Sequence, residues 1–240
     1  MELHEHRGAA PVPAGGRLGL YHFAILLPNR ETLGRFVSHL AEHGVRYGAS
    51  HHLVSEALYL QDPDGLGIEV YADLPRSSWQ HENRQLKMDT RPLNLRDLAA
   101  AGGGDVWRGM PRHTTIGHLH LHVGELTQAE RFYHEGLGLD KMVWSYPGAL
   151  FLGAGGYHHH LGVNSWAAFA TSPGGGEAKL LEWEIVVPSE VEVRATLEGL
   201  SAVGAEVDRS GSDGVVADPW GTRLRIRSGG TQTDATLEES

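Results

Sequence analysis

Residues 22–44 read HFAILLPNRETLGRFVSHLAEHG, and their outline returns twice. Residues 118–138 read HLHLHVGELTQAERFYHEGLG, and residues 182–204 read EWEIVVPSEVEVRATLEGLSAVG. Each segment is a strand-like apolar run, a short polar break, then an amphipathic helical stretch that stops at glycine. Gly44, Gly138 and Gly204 stand where a helix ends in left-handed backbone, which glycine enters without a Cβ clash. A segment repeated at this size marks one structural unit used several times.

Each helical stretch is followed by sequence with strand character. The first and third units close on a matched turn and strand, DPDGLGIEV at 62–70 and DPWGTRLRI at 218–226. In Asp-Pro-x-Gly the proline presets φ, the aspartate bonds its own backbone and the glycine takes the unusual conformation. The unit is therefore strand, helix and about three strands, giving an α+β protein of repeated βαβββ modules. Residues 1–17 read as the remnant last strand of a truncated first module plus a linker. Residues 18–73 form a full module, 74–114 an irregular insert, 115–170 a second full module and 171–179 a linker. Residues 180–230 are a degenerate module, and 231–240 are expected to be a flexible tail.

Laying the units over one another puts His22, His118 and Glu182 at one position, seven residues before Asn29, Glu125 and Ser189. Glu69 and Arg225 share another, each seven residues after the aspartate of its Asp-Pro turn. The first unit thus offers His22 and Glu69, and the second offers His118 and one of His158, His159 and His160. The third offers a glutamate and an arginine, so two units read as functional and one as structural. Strand alternation puts His120 and His122 on the face of His118, which leaves the choice among them open. Read as a strand, the triplet sends His159 to one face and His158 and His160 to the other. A carboxylate such as Glu69 within GIEVY is costly to bury unless a metal or another cation pairs it.

Composition narrows the function classes. The 240-residue chain has a net charge of −10 and no run of Lys and Arg, which argues against nucleic acid as a partner. It has no cysteine, so disulfides and zinc ribbons are excluded, and a metal would be held by histidine, carboxylate or water. No apolar run approaches the roughly 20 residues of a membrane helix, and the N-terminus lacks a signal-peptide pattern. A cytoplasmic protein is the expectation. Unpaired sheet edges beside a missing module favour a homodimer.

Four blocks in order carry a family resemblance: GLYHFAILLP, HHLVSEALYLQDPDGLGIEVYAD, IGHLHLHV and GGYHHHLGVNSW. The chain resembles the vicinal oxygen chelate superfamily of glyoxalase I, extradiol dioxygenases and bleomycin- and fosfomycin-resistance proteins. It is most similar to the ring-cleaving, catechol-2,3-dioxygenase-like subfamily, from about Leu18 to Trp166 and more weakly beyond. The resemblance implies cupped mixed sheets around a metal, with Fe(II) as the cofactor and Mn(II), Zn(II) or Ni(II) as alternatives. It implies His22, Glu69 and His118 as ligands, O2 as co-substrate and a small catechol- or hydroquinone-type diol as substrate. Two histidines and one carboxylate that leave a face open are the arrangement of non-haem Fe(II) oxygenases. Tyr59 lies ten residues before Glu69 with His52 upstream, similar to the tyrosine and histidine that bond bound catecholate in extradiol enzymes. Their HHxLxF strand, laid on HHHLGV, implies His159 as the catalytic acid and base. The same superfamily offers two alternatives, a glyoxalase-type metal-dependent isomerase or lyase and a non-catalytic binding or resistance protein. Family members normally have four modules, whereas this chain has three and a remnant.

Overall fold

The computed structural model describes residues 1–211 and 213–229. Strand β1 (Gly19–Leu26) leads into helix α1 (Arg30–Glu42), where Asn29 accepts the Thr32 N–H at 2.9 Å and so starts the helix. The apolar face of α1, with Leu33, Phe36, Val37 and Leu40, packs on Leu58 and Val70 of the strands that follow. Those strands are β2 (Gly48–His51), β3 (Ser55–Gln61) and β4 (Gly67–Asp73). The turn before β4 works as its residues dictate. Asp62 Oδ1 accepts the N–H groups of Asp64 and Leu66, and Gly65 takes φ +84°.

The insert after β4 has structure of its own: a 3-10 turn (Arg76–Ser78), a hairpin of β5 (His81–Glu82) and β6 (Gln85–Leu86), and helix α2 (Leu95–Ala101). Helix α2 approaches α1 so closely that a Cβ on Gly34 would strike the Leu98 carbonyl. The second module follows as β7 (Thr115–His122), helix α3 (Leu126–Glu130) with a π-type continuation to Gly136, then β8 (Asp140–Val143), β9 (Ala149–Gly153) and β10 (Leu161–Asn164).

All the strands of these two modules join one sheet, in the order β2-β3-β4-β1-β7-β10-β9-β8. The order mirrors itself about the central pair. Strands β1 and β7 run antiparallel, and each lies parallel to the last strand of its own module, β4 or β10. First-strand positions from both modules therefore meet at the middle of the sheet. The insert ties the two outer ends together. Arg91 exchanges both backbone hydrogen bonds with His51 on β2, and the Gln85 side chain accepts the N–H groups of Trp144 and Ser145 just after β8. Trp79, Leu86 and Met88 pack in one apolar cluster with Val54 of the first module and Val143, Ala149 and Phe151 of the second.

The chain divides into two compact units, and everything above except residues 127–139 belongs to the first, Met1–Leu126 with Asp140–Lys179. The second unit joins Thr127–Leu139 to the described residues from Leu180 onward. It holds β11 (Trp183–Val187), α4 (Glu190–Ala202), β12 (Val207–Ser210), β13 (Asp213–Ala217) and β14 (Arg223–Ser228), with sheet order β11-β14-β13-β12. Val193, Leu197 and Leu200 of α4 are buried, as are Val216, Leu224 and Ile226 of the sheet. Glu182 and Arg225 bond each other at 2.7 Å, so the third module fills its two key positions with an ion pair.

One expectation is corrected by the structure. Residues 1–17 contain no strand, and one parallel bridge, Ala10 to Glu177, ties them to the linker. Pro11 and Pro13 remove ladder donors. The tail at 231–240 lies outside the described residues. Gly44, Gly138 and Gly204 all adopt positive φ, as helix-ending glycines should. No helix among the described residues is long and apolar enough to cross a membrane.

Candidate active site

Ala24 is the pivot of the site. It pairs with Glu69 on one side, through β4, and with His118 on the other, through β7. Side chains in one cross-strand row share a face, so Glu69 and His118 converge over a methyl group. His22, two residues earlier on β1, joins them from the same face. The His22 Nε2 and His118 Nε2 atoms lie 3.0 and 3.2 Å from the same oxygen, Glu69 Oε2. All three side chains are buried.

The chemistry of this cluster fits a bound cation. Burial alone would push the Glu69 carboxyl up, but the imidazoles of His118 and His22 reverse this and hold it well below the usual carboxylate range. Burial also pushes His118 down to about 4, against the pull of Glu69, so its ring is neutral at neutral pH. His22 Nε2 lies off hydrogen-bond geometry despite its short distance, and it is buried without a hydrogen-bond partner. An unsatisfied imidazole nitrogen beside a buried carboxylate is costly unless a cation joins them. Two imidazoles and one carboxylate within 4.8 Å of one another form a donor set suited to a divalent first-row metal.

Tyr59 and His52 stand together on the same side. His52 Nδ1 faces the Asp89 carbonyl at 3.0 Å, and a carbonyl only accepts, so Nδ1 carries the hydrogen. The other nitrogen of a neutral ring must then accept, and Nε2 takes the Tyr59 O–H at 2.7 Å. Burial depresses the His52 pKa, which keeps the ring neutral. Burial raises the Tyr59 pKa well above its usual value, with the Glu69 charge adding to it, so the phenol stays protonated.

The remaining histidines sort by their partners. Of the alternating three, His118 joins His22 and Glu69. His120 and His122 turn to Asn164 instead: the Asn164 amide donates to His120 Nε2 at 3.0 Å, and His122 Nδ1 donates to Asn164 Oδ1 at 2.7 Å. The His120 ring rests on Gly162, which occupies in the second module the register place that Glu69 has in the first. The triplet departs from the strand reading. β10 starts only at Leu161, and residues 158–160 follow a glycine turn, with Gly155 at φ +59° and Gly156 at φ +69°. Alternation does not govern them there. His158 and His159 face each other, Nδ1 to Nδ1 at 2.7 Å, and His160 turns outward with Nδ1 accepting the Ala154 N–H. The His159 ring lies against His118, centroid to centroid 4.1 Å, with Phe151 behind it at 4.9 Å.

No protein-family model matches the chain. Over 221 residues it is 42% identical to a catechol-2,3-dioxygenase of Bacillus subtilis strain 168, covering 90% of this chain and 77% of that protein. The chain belongs to the catechol-2,3-dioxygenase family, within the vicinal oxygen chelate superfamily. Among solved structures, a Bacillus subtilis protein described as a candidate dioxygenase aligns with a TM-score of 0.58 at 11% identity, over 88% of this chain and 62% of that one. Glyoxalase I of Zea mays aligns with a TM-score of 0.49 at 15% identity, over 87% of this chain and 66% of that one. The chain thus spans less than two thirds of either solved structure.

In this catechol-2,3-dioxygenase family member, several neighbours of the cluster escaped the sequence reading. Asp73 bonds His158 Nε2 at 2.9 Å, and the Asp89 carbonyl bonds His52. Asp73 had a signal, because Glu69, Tyr71 and Asp73 alternate along β4 and so share a face. The Asp89 carbonyl had none, since a backbone atom in an insert carries no side-chain pattern. Gly117, just before His118, is held small by its surroundings: a Cβ there would strike the Tyr71 hydroxyl.

Proposed function

We propose that this protein is an extradiol ring-cleaving dioxygenase that inserts O2 into a catechol- or hydroquinone-type ring, with Fe(II) held by His22, Glu69 and His118. The observation that carries this reading is the convergence of two imidazole Nε2 atoms on one buried carboxylate oxygen, in a chain of this family. Fe(II) would supply charge stabilisation and hold diol and O2 together. Mn(II), Zn(II) and Ni(II) are the alternatives for the same donors.

The side chains divide the remaining work. Tyr59 commits its proton to His52, so its oxygen offers lone pairs to a diol hydroxyl entering the cup. His52 is locked by the Asp89 carbonyl and holds Tyr59 in that orientation. His159 is buried and its pKa is pushed well down, first by burial and then by neighbouring imidazoles, so it enters the reaction neutral and able to take a proton. Phe151 packs against the buried His159 ring.

The glyoxalase-type alternative needs a second carboxylate as base. Gly162 stands at the place where the module symmetry would put one. A small aromatic diol substrate, a cytoplasmic location and a homodimer complete the proposal, and mass measurement in solution tests the last.

The deciding experiment is anaerobic loading with Fe(II) followed by catechol and O2. A yellow ring-fission product with matching O2 uptake is expected. Isomerisation of a hemithioacetal with Ni(II) or Zn(II), without O2 uptake, would overturn the reading.

A further inference from the structure

Three side chains in line lead from the protein surface to the cup. Asp73 Oδ1 contacts His158 Nε2 at 2.9 Å, and His158 Nδ1 contacts His159 Nδ1 at 2.7 Å. The His158 ring is fully buried, whereas the Asp73 side chain is 28% exposed. The Tyr157 hydroxyl donates to the same Asp73 oxygen at 3.3 Å, and Trp79 packs against the His158 ring.

Hydrogen bookkeeping along this line has one solution for neutral rings. A carboxylate oxygen only accepts, so His158 Nε2 carries a hydrogen. A neutral His158 is then bare at Nδ1. A nitrogen–nitrogen contact of 2.7 Å needs one hydrogen between the atoms, so His159 Nδ1 must donate it. The lone pair of His159 is left on Nε2. The opposite arrangement would set a bare His158 Nε2 against a carboxylate at 2.9 Å, two acceptors with no hydrogen between them.

We propose that Asp73 and His158 are positioning residues that fix the tautomer of His159, holding its hydrogen on Nδ1 and its lone pair on Nε2. This goes beyond the assignment of His159 as acid and base and rests on it for its catalytic meaning. The tautomer itself is a property of the folded chain. A histidine that must take a proton from a diol is useful only if the nitrogen facing the substrate is bare. Left alone, an imidazole in water divides its hydrogen between both nitrogens. Here the choice is made at the far end of the line, by the Asp73 carboxylate.

The test reads nitrogen protonation directly, by long-range 1H–15N correlation on the metal-free full chain with labelled histidine. In the wild type, His159 should show a protonated Nδ1 and a bare Nε2, and His158 a protonated Nε2. In Asp73→Ala the His159 signals should move toward a mixture of tautomers. Asp73→Asn should restore the wild-type pattern, because the amide oxygen still accepts from His158. In the iron-loaded protein, Asp73→Ala should lower kcat by roughly tenfold to a hundredfold, the usual loss when a side chain that orients a working group is removed. KM and iron content should stay near wild type, and Asp73→Asn should recover most of the rate. A protonated His159 Nε2 in the wild type would overturn the proposal, as would an Asp73→Ala spectrum unchanged from it. So would a doubly protonated His158 that donates to His159. Correct tautomers in a protein that cleaves no diol would instead leave the proposal standing and sink the dioxygenase reading.

Discussion

Tyr59 and Glu69 are direct partners across the antiparallel β3–β4 ladder, so a phenol and a carboxylate stand side by side on one face. Their spacing is the path out along β3, through the Asp-Pro-x-Gly turn and back along β4. Replacing Tyr59 with Phe keeps the ring and removes the hydroxyl that meets His52. Metal content should be unchanged and kcat should fall by about tenfold to a hundredfold. Metal analysis beside steady-state kinetics checks this, and a loss of metal would mean that Tyr59 supports Glu69 rather than substrate.

Glu69→Gln should abolish tight metal binding. The amide keeps the shape but loses the charge, and affinity should drop by about a hundredfold or more in a competition titration. Thermal melting of the metal-free variant should fall below that of metal-free wild type, because, despite burial, the histidines hold the ionised Glu69 below its ordinary pKa range and the amide loses that stabilisation.

Ala24→Leu places a larger side chain where Glu69 and His118 converge. The chain should still fold, at a cost of about 1–3 kcal/mol for overpacking a filled site, and should bind no metal. Denaturant melts and metal analysis together separate this from simple unfolding. A folded Ala24→Leu protein with full metal content would show that the residues do not meet over this methyl.

His159→Phe should keep the metal and lose turnover by about a hundredfold to ten-thousandfold, the range for a missing acid and base. Loss of iron in this variant would place His159 among the ligands instead.

The metal-free fold should weaken in mild acid. Burial depresses the pKa of His52 and His122 below the ordinary value of 6.5. These rings are neutral in both states above 6.5, so their contribution is fully present there. As pH falls below it, the unfolded chain takes up protons that the folded chain refuses, and stability is lost until the folded pKa values are passed. Denaturant melts at stepped pH should show this decline. A flat profile from 6.5 downward would contradict the burial of these rings.

Much of this was legible in the sequence because it rests on local signals. Helix-ending glycines and the paired Asp-Pro-x-Gly turns depend on a few neighbouring residues, and they appear where their chemistry puts them. The meeting of His22, Glu69 and His118 could be read from repetition, since equivalent strands of two modules pair at the middle of one sheet. The triplet was misread because apolar residues on both sides look like a continuous strand, while Gly155 and Gly156 turn the chain before the ladder begins. The insert was read as irregular because its work is non-local. Gln85 and Arg91 have no pattern that names Trp144 or His51 as partners. The remnant strand failed for a related reason, as a strand needs a neighbour and its own segment cannot supply one.

The pivot at Ala24 also bears on how the molecule assembles itself. Ala24 and His118 are roughly ninety residues apart along the chain, so their pairing closes a long loop and carries its entropy cost. The three converging side chains therefore form a set only when both modules are present and paired. Under the proposed ligand set, metal uptake would therefore report that both modules have folded and paired.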